Sequence, residues 1–428
     1  MEWIKKATEK TYERDQQLTE LVSGIITNVR VSGDQELIKL AEQFDHVSLE
    51  SVKVSKETVK EAYKKVDSKT IDALKFAAKN ISFYAENQYQ CLKAMEVSSP
   101  VPGVTLGHRL IPVERCGAYI PGGRYPLPSS ALMSVITAKI AGVKSVAACC
   151  PPAKDYGTIH PAVLVAMDIA GADEIYAVGG AQAIAALAYG TETVPKVNLI
   201  VGPGNRFVTE AKRQVLGDVG IDSLAGPSEV LILADETSNP DFVAIDLLAQ
   251  AEHDPNTKTI LVCTNREMIE AVQQSLEKYS VELVTNKIAS QSWKDNGQII
   301  LADHLDEAIA ITNSIAPEHL EVQTKNAKEV SDQLINFGSL FIGSHAPVAF
   351  GDYVSGTNHI LPTMGTARYS NGVWVGTFIK TSFYQEITEE GCLNLSEACM
   401  QLAQVEGLHA HGKSVAVRVD ALNKKLTE

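Results

Sequence analysis

Short apolar runs, each closed by a turn signal and separated from the next by a longer helix-like stretch, constrain this chain more than any other feature. The run Ser145–Cys150 ends at Pro151-Pro152, Glu174–Val178 ends at Gly179-Gly180, and Leu199–Val201 ends at Gly202-Pro203-Gly204. A second series follows at Val230–Ala234, Thr259–Cys263, Gln298–Ala302 and Ser339–Ile342. Strands buried on both faces read as continuous apolar runs. With helical patterns of roughly 10–15 residues between them, such runs call for βαβ units and parallel sheets.

The two series fall on either side of about Ala225, so the expected fold is α/β with two Rossmann-like lobes and small helical extensions at each end. The expected division is 1–20 as an N-terminal extension, 21–118 with 228–374 as a first lobe, 119–227 as a second lobe, and 375–428 as a helical C-terminal extension. A length of 428 residues suits two or more domains. Near the start, Leu18, Leu21, Val22, Ile25, Ile26 and Val29 recur at helical spacing, and near the end Leu395, Ala398, Cys399, Leu402 and Val405 do the same.

The formal net charge of -14 and the lack of a basic stripe disfavour nucleic acid as a partner. Seven cysteines are dispersed without a CxxC pair, which points to a reducing compartment rather than a disulfide framework. Cys149, Cys150 and Cys263 lie in apolar runs and read as buried small hydrophobes. The N-terminus lacks the apolar core of a secretory signal, and no run reaches about 18 apolar residues. The expectation is a cytoplasmic protein with no membrane span.

Five segments carry chemistry-bearing residues. Glycine turns at Gly122-Gly123, Gly179-Gly180 and Gly202-Pro203-Gly204-Asn205 lie at strand ends. There, backbone N–H groups and a helix N-terminus can receive a phosphate, or the glycines simply make tight turns. None completes GxGxxG. Gln250-Ala251-Glu252-His253 places Gln250 and His253 on one helix face, as zinc ligands or as a helix end. Pro317-Glu318-His319 sets a carboxylate beside an imidazole, an acid–base pair or a solvated loop, with the two side chains expected to diverge. Gly351–His359 is a polar loop with Asp352 and His359. Glu406–His411 carries two histidines that diverge on a helix. Gln250, His253, Asp352 and His411 together offer four N and O donors suited to zinc.

At these residues the chain resembles the histidinol dehydrogenase family. The matching stretches are YIPGG at 119–123, GGAQAIAAL at 179–187, GPGNRFVTEAKR at 202–213, AGPSEVL at 225–231, QAEH at 250–253, PEHLE at 317–321, GDYVSGTNHILPT at 351–363 and EGLHAH at 406–411. The resemblance implies an intertwined homodimer with shared active sites. It implies zinc on Gln250, His253, Asp352 and the other subunit's copy of His411. NAD would lie against Tyr119, Gln182 and Asn205. Substrate would meet Ser228, Glu318, His319, Asp352, His359 and Glu406 together with the metal ligands.

The implied reaction takes L-histidinol through a bound aldehyde to the acid, with two NAD molecules accepting two hydrides. Zinc would orient the substrate through its nitrogens. His319 would be the base in both oxidations, and Glu318 would activate water between them. Gly107-His108-Arg109, Gly122–Tyr125 and residues 367–380, with Tyr369 and Trp374, lean toward a side branch, the sulfopropanediol dehydrogenases. In that alternative Arg124 or Arg368 would bind a sulfonate. A non-catalytic binding protein is disfavoured because every catalytic and metal position holds a competent residue.

Overall fold

The structure, a computed structural model, describes residues 1–8, 15–123 and 125–427. It is a mixed α/β protein with parallel sheets, in two compact units. The larger comprises residues 1–89 and 113–378, and the smaller comprises residues 90–112 with those from 379 on.

The larger unit holds two sheets. One has five strands in the order Glu174–Ala177, Ser145–Cys150, Arg115–Tyr119, Leu199–Val201, Gly220–Ile221, all parallel. The other has six, in the order Glu2–Lys5, Gln298–Leu301, Lys258–Cys263, Glu229–Ala234, His319–Gln323, Ser339–Ile342, and only Glu2–Lys5 runs antiparallel. In each sheet the parallel strands start in the middle, wind outward to one side, then cross to the other. The five-stranded sheet reverses between Arg115–Tyr119 and Leu199–Val201, and the six-stranded sheet between Glu229–Ala234 and His319–Gln323. Open α/β sheets form clefts at such reversals.

Every run anticipated as a strand is one, with ends shifted by at most a residue. The reason is visible in the packing. Val230, Ile232 and Ala234 enter one apolar cluster and Leu231 and Leu233 the opposite one, so this strand is covered on both faces. Helix Gln16–Leu40 buries Val22, Ile25, Ile26 and Val29 against the five-stranded sheet's core, while Leu21 of the same stripe stays exposed.

The ends of the chain differ from expectation. Residues 2–5 form an edge strand of the six-stranded sheet rather than an appendage. Residues 95–112, assigned by sequence to the first lobe, belong to the smaller unit. There Met95–Ser98, Val104–Pro112 and Ile379–Ile387 make a three-stranded antiparallel sheet. Residues 375–428 were expected to be helical throughout. The strand within them is exposed along most of its length, so no buried alternation marks it in the sequence. Helices Glu389–Val405 and His409–Thr427 complete the smaller unit. Among the described residues, no helix is long and apolar enough to cross a membrane.

Candidate active site

The site grows from the amino ends of two neighbouring strands of the six-stranded sheet. His319 pairs with Val230 across the reversal, which sets Glu318 and Glu229 side by side at the start of their strands. The backbone of Glu229 then holds both chemistry-bearing side chains. Its N–H donates to Glu318 Oε2 at 2.8 Å, and its carbonyl lies 3.1 Å from His319 Nδ1. A carbonyl only accepts, so Nδ1 carries the proton and the lone pair of a neutral ring sits on Nε2. That Nε2 is buried without a hydrogen-bond partner.

Glu318 and His319 therefore do not diverge as expected. Glu318 lies in the bend before the strand rather than in the ladder, and its Oε2 comes within 3.6 Å of His319 Nδ1. On the open side, His319 Nε2 stands 3.5 Å from Asp352 Oδ1. Asp352 projects from the short helix Val348–Tyr353. Its backbone carbonyl is 3.1 Å from His359 Nδ1, whose other nitrogen is 2.9 Å from Ser130 Oγ on helix Pro128–Ile140. Asn358 Nδ2 adds a bond to Met133 O on the same helix at 3.1 Å.

Gln250 and His253 approach from helix Pro240–Ala251. The helix ends at Ala251, so His253 lies just past it, in a turn whose N–H donates to Gln250 O at 3.2 Å. Gln250 is only 3% exposed, yet its Nε2 has no partner. Ser228 immediately precedes the central strand and accepts from Lys258 N at 3.1 Å.

The electrostatics follow from this enclosure. Burial pushes the Glu318 carboxyl up to about 8, with the imidazole of His319 working against the shift. Burial also acts to lower His319, but the carboxylates of Glu318 and Asp352 outweigh it and raise its pKa. For Asp352 burial is opposed and overcome by His319, so it stays ionised below the usual carboxylate range. Burial lowers both His253 and His359, which favours neutral rings. Asp352 touches His319 and His359 directly, and its charge also acts to raise His253 against the effect of burial.

This donor set fits a divalent ion of zinc type: a neutral imidazole at His253, an ionised carboxylate at Asp352 and an amide at Gln250 whose hydrogen bonding is unsatisfied within the protein. Among the described residues no group of three or more His, Cys, Asp or Glu is arranged to hold a metal ion. The larger unit thus offers two such ligands and the amide. Glu406, at the end of helix Glu389–Val405, and His411, in the first turn of the next helix, are exposed residues of the smaller unit.

Tyr119, Gln182 and Asn205 lie at the carboxyl end of the five-stranded sheet. Tyr119 ends its strand, and its buried hydroxyl accepts from Gly180 N at 3.2 Å. Gln182 is buried in the first turn of the helix that Gly180 opens. Asn205 caps helix Arg206–Val215, accepting from Phe207 N and Val208 N at 3.0 and 3.2 Å. Gly202, between them, has φ +124°, and a Cβ there would meet Tyr119 O at 2.0 Å, so only glycine fits.

Histidinol dehydrogenase is the family whose model matches residues 8–419. The chain belongs to that family. It is 47% identical to the histidinol dehydrogenase of Methanococcus maripaludis, over 93% of both chains. It is 45% identical to that of Methanothermobacter thermautotrophicus, over 97% of this chain and 99% of the relative. A solved structure of histidinol dehydrogenase from Elizabethkingia anophelis superposes with a TM-score of 0.91 at 37% identity, covering 97% of this chain and 95% of that one.

Two residues of this histidinol dehydrogenase family member escaped the sequence reading. Glu229 had a signal, a carboxylate opening an otherwise apolar strand. Ser130 had none, because its contact with His359 joins segments far apart in the chain. Arg368, a candidate sulfonate ligand, has its guanidinium on the carbonyls of Gly365 and Ser314. Arg124, the other candidate, lies outside the described residues.

Proposed function

We propose that the chain oxidises L-histidinol to L-histidine, in histidine biosynthesis, with zinc and NAD. The observation that carries this reading is the Glu229 backbone, which anchors Glu318 and His319 and leaves His319 Nε2 without a partner, at an ion-pair distance from Asp352. Full-length similarity to histidinol dehydrogenases supports it.

When bound, zinc would orient the substrate and NAD would accept hydride. Gln250, His253 and Asp352 would hold zinc, with His411 of a second copy as the fourth ligand. Tyr119, Gln182 and Asn205 would line the dinucleotide cleft between the reversing strands. His319 Nε2 takes the alcohol proton as the carbon loses hydride, giving the aldehyde. Glu318, ionised, takes a proton from water as the water oxygen bonds to the aldehyde carbon, while His319 returns its proton to the aldehyde oxygen, giving the gem-diol and a neutral His319. His319 then takes the gem-diol's proton as the second hydride leaves, giving the carboxylic acid. His359, fixed by Ser130, orients the substrate. Ser228 and Glu406 add polar contacts to it.

The assembly in this reading is a homodimer made of two Rossmann-like lobes per chain with interlocked ends, in the cytoplasm. Exposed apolar side chains on the smaller unit support it: Leu402 is 63% and Val405 74% exposed, and both belong to the stripe read from sequence. The test is NADH yield from limiting L-histidinol with zinc-loaded protein. Two NADH per histidinol is expected. No turnover of histidinol, with turnover of a sulfonated diol, would move the protein to the side branch.

A further inference from the structure

Behind the site lies a second group of polar side chains that the reaction does not use. Glu321 is 1% exposed, in the middle of strand His319–Gln323 of the six-stranded sheet. It follows His319 by two positions, so the two side chains share one face of the strand. Its Oε1 accepts the Val348 N–H at 3.0 Å, at the start of the helix that carries Asp352. Its other oxygen accepts from Gln323 Nε2 at 2.8 Å, and the same nitrogen donates to Asp246 Oδ2 at 3.1 Å. Asp246 and Glu321 thus accept from the same nitrogen, which sets the two carboxyls side by side. Asp246 stands one helical turn before Gln250, on the same face of helix Pro240–Ala251.

Three elements therefore meet at one buried knot, and each carries a site residue one step away: Gln250, His319 and Asp352. Two carboxyls that share one donor, with Glu321 out of water, disfavour joint ionisation, and a single proton held by one lets it donate to the other. Burial pushes Glu321 up to about 8 and raises Asp246 as well. The groups facing the pair are Gln323 and the Val348 N–H.

We propose that Asp246 and Glu321 are positioning residues, sharing one proton to hold Gln250, His319 and Asp352 in mutual register. The role rests on the reading of those three as ligand and base. The pair touches no substrate, so it acts only through the elements it joins.

A protonated carboxyl and an amide have the same shape, and both can accept the Val348 N–H and donate toward Asp246; Gln323, turned about its amide, offers its otherwise unpartnered Oε1 to the new N–H. Glu321→Gln should therefore keep kcat and zinc affinity near wild type. Glu321→Leu removes the acceptor for Val348 and the tie to Asp246. It should lower kcat by on the order of 100-fold, with KM less affected, and weaken zinc by about 10–100-fold in a chelator competition. A third readout needs neither substrate nor metal. The folded state holds a proton on Glu321 that the unfolded chain releases above about pH 4.5. Its contribution to stability is thus complete below that pH and is lost as pH rises toward 8. Glu321→Gln should flatten the fall of Tm between pH 5 and 8.

The proposal is overturned if Glu321→Gln loses kcat and zinc as Glu321→Leu does, or if its Tm falls with pH as in wild type. It is overturned equally if Glu321→Leu folds and behaves as wild type. Should Glu321→Leu fail to fold, the zinc affinity and Tm slope of Glu321→Gln still decide. Should wild type not oxidise histidinol, the reading of the activity fails, while zinc affinity and the Tm slope still test the pair.

Discussion

At the scale of single residues, the backbone of one residue does the orienting. Glu229 presents its N–H to a carboxylate and its carbonyl to an imidazole, so neither group can turn without losing its bond. Glu318 must be ionised to take a proton from water, and burial keeps it protonated up to about pH 8. The aldehyde-to-acid step should therefore speed up as pH rises through about 8, measured by single-turnover NADH formation from the aldehyde. Glu318→Gln should remove the Glu318 part of that dependence, leaving the part that comes from His319, whose pKa is also raised, and slow this step by roughly 10²–10⁴-fold. The alcohol step should continue, giving one NADH per histidinol instead of two. Residue types and order were enough to nominate Glu318, His319, Gln250 and Asp352 from sequence. Their common enclosure was not legible, since it depends on strand pairing between segments about ninety positions apart. The expected divergence of Glu318 and His319 failed because it assumed extended backbone at Glu318, where the chain bends.

At the scale of elements, the glycine turn at Gly202 is clamped by side chains beneath it. Lys212, on helix Arg206–Val215, donates to Gly202 O at 2.5 Å and to Asp222 Oδ1 at 2.6 Å, while Asp222 Oδ2 accepts from Gly202 N at 2.8 Å. Both side chains are 4% exposed. Lys212→Met should leave Asp222 buried and unpaired, costing about 3–5 kcal/mol. The expected result is a lowered Tm and weaker NAD binding by fluorescence titration, with the zinc site unaffected. The strands here were legible because each is covered on both faces and so reads as an apolar run. The clamp was not, because a lysine inside a basic-looking helix end resembles a solvated one. The three-stranded sheet of the smaller unit was missed for a different reason. Exposed strands lack the period-two alternation that a half-buried sheet writes into its sequence.

At the scale of the whole molecule, the proposed fourth ligand lies on the smaller unit, at exposed His411. If sites are shared between copies, His253→Ala and His411→Ala homodimers should each be inactive. Mixing and re-annealing them should then restore part of the activity, to about one competent site in a hybrid dimer, whereas sites built within one chain would show no recovery. The two sheets also differ in which end they use. The five-stranded sheet offers its glycine turns at the carboxyl ends of its strands, but the six-stranded sheet puts Ser228, Glu318 and His319 at the amino ends. The carboxyl ends of the latter are tied off by bonds from Ser238 Oγ to Gln323 O and from Lys325 N to Asp235 Oδ2. In the proposed reaction, the glycine-lined cleft of the five-stranded sheet would serve both oxidations. Spent dinucleotide would have to depart and a fresh one arrive while a reactive aldehyde waits. Turnover would then be governed by residence times: the intermediate would have to dwell longer than the carrier takes to be replaced.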